Sequence, residues 1–109
     1  MMGITTHVLD TSLGKPAEGI RVKLQYEGAV VGSGLTDGDG RVRELVSSGT
    51  PLQEGIYKLT FSVGEYFEAT GRDAFYPEIV VNFRIEAGSQ HYHVPLLLSP
   101  FGYSTYRGS

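Results

Sequence analysis

Apolar and polar residues alternate along much of this 109-residue chain, and a period of two fits strands far better than helices. Between Gly19 and Glu27 the apolar series is Ile20, Val22, Leu24, Tyr26, and the polar series is Arg21, Lys23, Gln25, Glu27. Tyr57, Leu59, Phe61, Val63 repeat the pattern with Lys58, Thr60, Ser62 between them, and Ile79, Val81, Phe83, Ile85 repeat it again. Each run reads as a strand with one face in a core and one in water.

Turn chemistry separates the runs. Fifteen glycines and five prolines supply many breaks, which favours short strands over long helices. Gly14-Lys15-Pro16, Glu27-Gly28, Asp37-Gly38-Asp39-Gly40, Gly49-Thr50-Pro51 and Ala87-Gly88-Ser89 are the clearest turn signals. About eight strands follow, near residues 4–10, 20–27, 29–36, 41–46, 55–63, 78–86, 90–98 and 102–107. One short helix is predicted near Gly64 to Thr70, with Gly71 as the glycine that ends it. The expected fold is an all-β antiparallel sandwich in a single domain spanning 1–109.

Composition excludes several functions. There is no cysteine, so disulfides, thiolate catalysis and cysteine-based metal sites are absent. A net charge of −3 gives no footprint for nucleic acid or an anionic membrane surface. No apolar stretch is long enough to span a bilayer, and Met1-Met2-Gly3-Ile4 has no basic and apolar leader pattern. The expectation is a soluble, cytoplasmic protein. A domain this small leaves much of its surface wet, so oligomerisation is a natural way to bury more.

A few polar residues stand out on the strands. His7 lies within Thr5-Thr6-His7-Val8-Leu9-Asp10, on the face shared with Leu9. In His91-Tyr92-His93-Val94-Pro95-Leu96-Leu97-Leu98, Tyr92, Val94, Leu96 and Leu98 form the core face, and His91, His93 and Leu97 the other. A face carrying both histidine and leucine is either a wet surface or the wall of an interface or pocket. Three histidines also suggest a zinc site, but no carboxylate is evident to hold the far ring nitrogens, and no metal is assigned. Arg41, with Arg43 two residues on, is either an exposed cation or a fixed guanidinium for a carbonyl oxygen. Asp37 and Asp39 do not begin a calcium loop, because position 12 would be Ser48. Nucleophile-elbow, P-loop and dinucleotide motifs are absent. The final segment, Ser99-Pro100-Phe101-Gly102-Tyr103-Ser104-Thr105-Tyr106-Arg107-Gly108-Ser109, alternates and keeps aromatics near its end, so it is expected to be paired and buried against another subunit.

Four segments carry a resemblance: Thr6-His7-Val8-Leu9-Asp10-Thr11, Gly14-Lys15-Pro16-Ala17, Thr36-Asp37-Gly38-Asp39-Gly40-Arg41 and His93-Val94-Pro95-Leu96-Leu97-Leu98-Ser99-Pro100. In this order the chain resembles the transthyretin-like (prealbumin-like) family over its whole length. The terminal Tyr106-Arg107-Gly108-Ser109 resembles the signature of the family's enzymatic branch. The resemblance implies a sandwich of two four-stranded antiparallel sheets with one short helix, assembled as a homotetramer that is a dimer of dimers. It implies hydrolysis of the small molecule 5-hydroxyisourate, in purine catabolism, to 2-oxo-4-hydroxy-4-carboxy-5-ureidoimidazoline. His7, Arg41 and His93 match the catalytic positions, and Tyr106 and Ser109, together with His7 and Arg41, match the substrate-binding ones. No cofactor is implied. The alternative, from the hormone-carrying branch, is small-molecule binding without catalysis.

Overall fold

The computed structural model describes residues 3–46, 52–86 and 91–108. Strands β1 (Gly3–Asp10), β2 (Lys15–Pro16), β3 (Arg21–Tyr26), β4 (Ala29–Leu35), β5 (Arg41–Val42) and β6 (Gly55–Phe61) come first. Helix α1 (Val63–Ala69) follows, then β7 (Ile79–Ile85), β8 (His91–Ser99) and β9 (Gly102–Thr105). One sheet runs β2-β1-β8-β9 with β5 also paired to β1, and the other runs β4-β3-β6-β7.

The alternating residues do what their pattern requires. Ile4, Val8, Val22, Leu24, Leu59, Phe61, Leu96 and Leu98 are almost completely buried between the sheets. Each such side chain contributes about 1.5–3 kcal/mol on leaving water. Glu27 and Gly28 both take positive φ, 51° and 82°, which is the two-residue hairpin geometry that suits strand twist. Gly71 also has positive φ. Its N–H bonds to the Glu68 carbonyl and the Arg72 N–H to the Phe67 carbonyl, the paired closure of a Schellman end to α1.

Three expectations change. The sheets are not wholly antiparallel: β1 and β8 run parallel, with Thr5 opposite His93 and His7 opposite Pro95. Alternation fixes faces but carries no information on strand direction. The strand expected over 41–46 ends at Val42. Beyond it, the Arg43 side chain is drawn back to Asp37 and Asp39, at 3.2 and 3.0 Å, and Leu45 is buried in the core. Lys15–Pro16 adds a two-residue strand to the end of β1, so among the described residues the first sheet has five strands instead of four. The turns expected at 49–51 and 87–89 lie outside the described residues.

An ionic staple ties the helix to the first sheet. Asp10 ends β1 with its side chain fully buried, and Arg72 reaches it at 2.7 Å. Tyr66 donates its hydroxyl to the same carboxylate, also at 2.7 Å. Ser12 and Leu13 N–H groups donate to the other oxygen. Burial alone would raise the Asp10 pKa. The Arg72, Tyr66, Ser12 and Leu13 hydrogen bonds outweigh it and hold the carboxyl well below the usual carboxylate range. The Arg72 guanidinium also lies over the Phe67 ring, 4.9 Å from its centre.

Candidate active site

The outward face of the β1–β8 sheet carries the polar residues. Ile4, Thr6, Val8 and Asp10 point into the sandwich, which leaves Thr5, His7 and Leu9 on the other side, half-buried. On β8, Tyr92, Val94, Leu96 and Leu98 are core, while His93 and Leu97 are half-buried and His91 is exposed.

The double Asp-Gly turn delivers Arg41 to this face. Asp37 accepts from the N–H groups of Asp39 and Arg41 at 2.9 and 3.0 Å, and Gly40 donates to the Asp37 carbonyl. The Arg41 N–H is the leading cause that keeps the Asp37 carboxyl below its usual range. Gly40 has φ of 78°, and a Cβ there would collide with the Val8 carbonyl. The Val8 N–H in turn donates to the Gly40 carbonyl at 2.7 Å. Turn and strand are thus clamped together, and Arg41 lies directly opposite His7 in the antiparallel register. Arg43, which sequence alternation grouped with Arg41, is held by the two turn carboxylates instead.

His93 sits beside this pair. Its Nδ1 lies 2.8 Å from Thr5 Oγ1, and that same hydroxyl lies 3.2 Å from His91 Nε2. Burial is the first cause that pushes the His93 pKa below the ordinary histidine value, followed by the nearby charges of Arg41, His7 and His91. A hydrogen bond to the Thr5 main chain opposes this. His93 is therefore largely a neutral imidazole at pH 7, the form that accepts a proton.

The chain's last described residues lie over the same strand. Gly108 forms an isolated antiparallel bridge with His93, its N–H donating to the His93 carbonyl at 2.8 Å. The Arg107 guanidinium covers the Tyr92 ring at 4.7 Å, and Thr105 Oγ1 donates to the Pro95 carbonyl. The tail is paired as expected, and Tyr106 is 58% exposed in the single chain. A cleft of about 300 Å³ lies between β7 and this tail, lined in part by Phe83, Arg84, Tyr92, His93, Tyr106 and Arg107. A smaller one of about 150 Å³ includes Thr5 and Arg41. The Thr5–His93 hydrogen bond joins the two.

His7, Arg41 and His93 thus gather on one face, and Tyr106 borders it. Ser109 lies outside the described residues. Among the described residues, no group of three or more histidine, aspartate or glutamate side chains is arranged to hold a metal ion. No described helix is long and apolar enough to cross a membrane. Sequence reading passed over Thr5, whose signal was present, since it shares the His7 face. It also passed over Gly108, whose need to be glycine depends on a contact that only the fold creates.

A family profile described as Transthyretin: HIUase/Transthyretin family matches residues 4–108. A 5-hydroxyisourate hydrolase from Caulobacter vibrioides is 43% identical over 117 residues, covering all of both chains. The structure of a Klebsiella pneumoniae 5-hydroxyisourate hydrolase superposes with a TM-score of 0.89 at 38% identity, over 100% of this chain and 94% of that one. Sea bream transthyretin in complex with thyroxine superposes with a TM-score of 0.87 at 28% identity, over 96% and 93% of the two chains.

Proposed function

The chain belongs to the HIUase/transthyretin family, and on that premise we propose that it is a 5-hydroxyisourate hydrolase of urate breakdown. The observation that carries the reading to particular residues is the convergence on one face of Arg41 opposite His7, with His93 on the adjoining strand. An arginine beside two imidazoles supplies what hydrolysis of a cyclic amide needs. The charge sign matters: Arg41 helps to keep His93 neutral and so competent as a base.

In the proposed mechanism, a water hydrogen-bonded to His7 and His93 loses a proton to one of these imidazoles. Its oxygen bonds to a ring carbonyl carbon, and the oxyanion formed is held by Arg41. The carbon–nitrogen bond then breaks, and the departing nitrogen takes up a proton from the imidazolium. The ring opens to 2-oxo-4-hydroxy-4-carboxy-5-ureidoimidazoline. Tyr106 lines the pocket and orients the substrate, and Ser109 is assigned the substrate-binding role that its place in the family's terminal motif implies. No covalent intermediate, metal or cofactor is invoked.

The site is open in one chain, and β7 and β9 are sheet edges. Phe75, Phe101 and Tyr103 are exposed apolar side chains. Pairing of edges removes an aggregation liability and covers such surface. The reading therefore includes a cytoplasmic homotetramer, a dimer of dimers, whose subunits enclose the site between them. Sedimentation should give four chains per particle.

The functional test replaces His7, Arg41 or His93 singly with alanine and follows absorbance of freshly generated 5-hydroxyisourate, with spontaneous decay subtracted. Each replacement should lower kcat by about 10²-fold or more. Wild-type rates in folded variants would remove the assignment. The likeness to a thyroxine-bound transthyretin favours a second reading, binding without catalysis. Thyroxine binding by a chain inert towards 5-hydroxyisourate would establish that reading instead.

A further inference from the structure

Thr5 and Thr6 are adjacent on β1 and use their hydroxyls differently. Thr6 points inward, fully buried, and donates to the Val94 carbonyl at 2.6 Å. That bond serves the sheet. Thr5 points outward, and its side-chain hydrogen bonds run to two imidazole nitrogens, His93 Nδ1 at 2.8 Å and His91 Nε2 at 3.2 Å. A valine would pack on this half-buried face equally well. The hydroxyl therefore has a chemical role beyond packing.

A hydroxyl has one proton to donate and can accept as well. It cannot donate to both rings at once, so one ring must donate to it. With Thr5 Oγ1 seated on His93 Nδ1, Nε2 is the ring nitrogen left to accept from water, and a neutral ring accepts there only when Nδ1 carries the proton. The consistent arrangement is His93 Nδ1–H donating to Thr5 Oγ1, and Thr5 Oγ1–H donating to His91 Nε2. The second ring nitrogen of His93, Nε2, is then unprotonated and is the acceptor. Which nitrogen of a neutral histidine carries the proton is set by the partner of the other.

We propose that Thr5 is a positioning residue that fixes His93 as its Nδ1–H tautomer, so that Nε2 is the atom that takes the proton from water. The choice of tautomer rests on the hydrolase reading, whereas the two Thr5 contacts do not. Among the described residues, Arg41, His7 and His91 act electrostatically on the His93 ring, and Arg84 and Arg107 line the same cleft. None of them accepts a proton from Nδ1, since Thr5 already occupies that position.

The test compares wild type, Thr5→Val and Thr5→Ser. Nitrogen-15 spectra of the wild-type histidine rings, taken without substrate, should show Nδ1 of His93 protonated and Nε2 bare. Thr5→Val should show both tautomers, lower kcat by about 10-fold and leave KM within about twofold. Thr5→Ser should recover most of the rate and the single tautomer. An Nε2–H tautomer in the wild type would overturn the proposal. So would a folded Thr5→Val variant with full kcat, or a Thr5→Ser variant as slow as Thr5→Val. Wild type inert towards 5-hydroxyisourate would remove the hydrolase reading, whereas the spectra would still decide the Thr5 assignment.

Discussion

Gly108→Ala is expected to damage turnover without unfolding the sandwich. A Cβ added at Gly108 would lie 2.6 Å from His93 Cδ2, 3.2 Å from Cγ and 3.3 Å from Cβ. Carbon atoms in good contact stand about 3.5–4.0 Å apart, so ring or tail must shift by about 1 Å. Backbone strain plays no part, because Gly108 is not in the left-handed region. Displacing a reactive group by about 1 Å can cost about 10²-fold, or roughly 2.7 kcal/mol in the barrier. The assay is the same absorbance decay with the uncatalysed rate subtracted, alongside thermal melting and gel filtration. Gly102→Ala is the control, since its new Cβ meets only Ser99 Oγ at 3.8 Å. It should stay within about twofold of wild type. A Gly108→Ala variant turning over at the wild-type rate would refute the reasoning, as would equal damage from Gly102→Ala. Removing residues 106–109 should likewise abolish turnover while the sandwich still folds.

The pH dependence of kcat/KM should follow His93. Its folded pKa is depressed, so the base form persists to below about 6.5, and the acid limb should have its midpoint below that value. A midpoint at or above about 7 would exclude neutral His93 as the base. The same depression means that the folded state resists this proton, so the group detracts from stability as pH falls through the unfolded value. Arg72→Met should destabilise the fold by about 2–3 kcal/mol. That is less than for a stripped buried charge, because Tyr66, Ser12 and Leu13 still bond to Asp10. Denaturant melts should show the gap from wild type at pH 7. The gap should narrow as pH falls below about 4, where the unfolded chain's carboxyl takes a proton and the benefit of a depressed Asp10 pKa is lost.

Much of this was legible from residue order. Alternation assigned His7 and His93 to outward faces because a strand's period leaves no other choice once Val8 and Val94 are core. Gly71 marked the helix end because the cap needs positive φ there. What alternation could not supply was which strands lie side by side. The parallel pairing of β1 with β8, and hence the meeting of Thr5 with His93, depends on packing across the whole chain. Nothing in the residue order pointed from Asp10 to its partner Arg72, which lies 62 residues away. Family resemblance supplied the substrate, which the residues alone did not name.

The parallel seam between β1 and β8 joins residues 3–10 to residues 91–98. Its closure brings together segments separated by nearly the whole chain, so loop entropy must be overcome before those contacts form. His7 and Arg41 leave the ribosome well before His93. The second sheet, built from β3, β4, β6 and β7, pairs segments much closer in sequence and can form early, whereas the pocket cannot exist until β8 docks. Recovery of activity on refolding should therefore trail recovery of β structure, and its delay measures the time taken to close this seam.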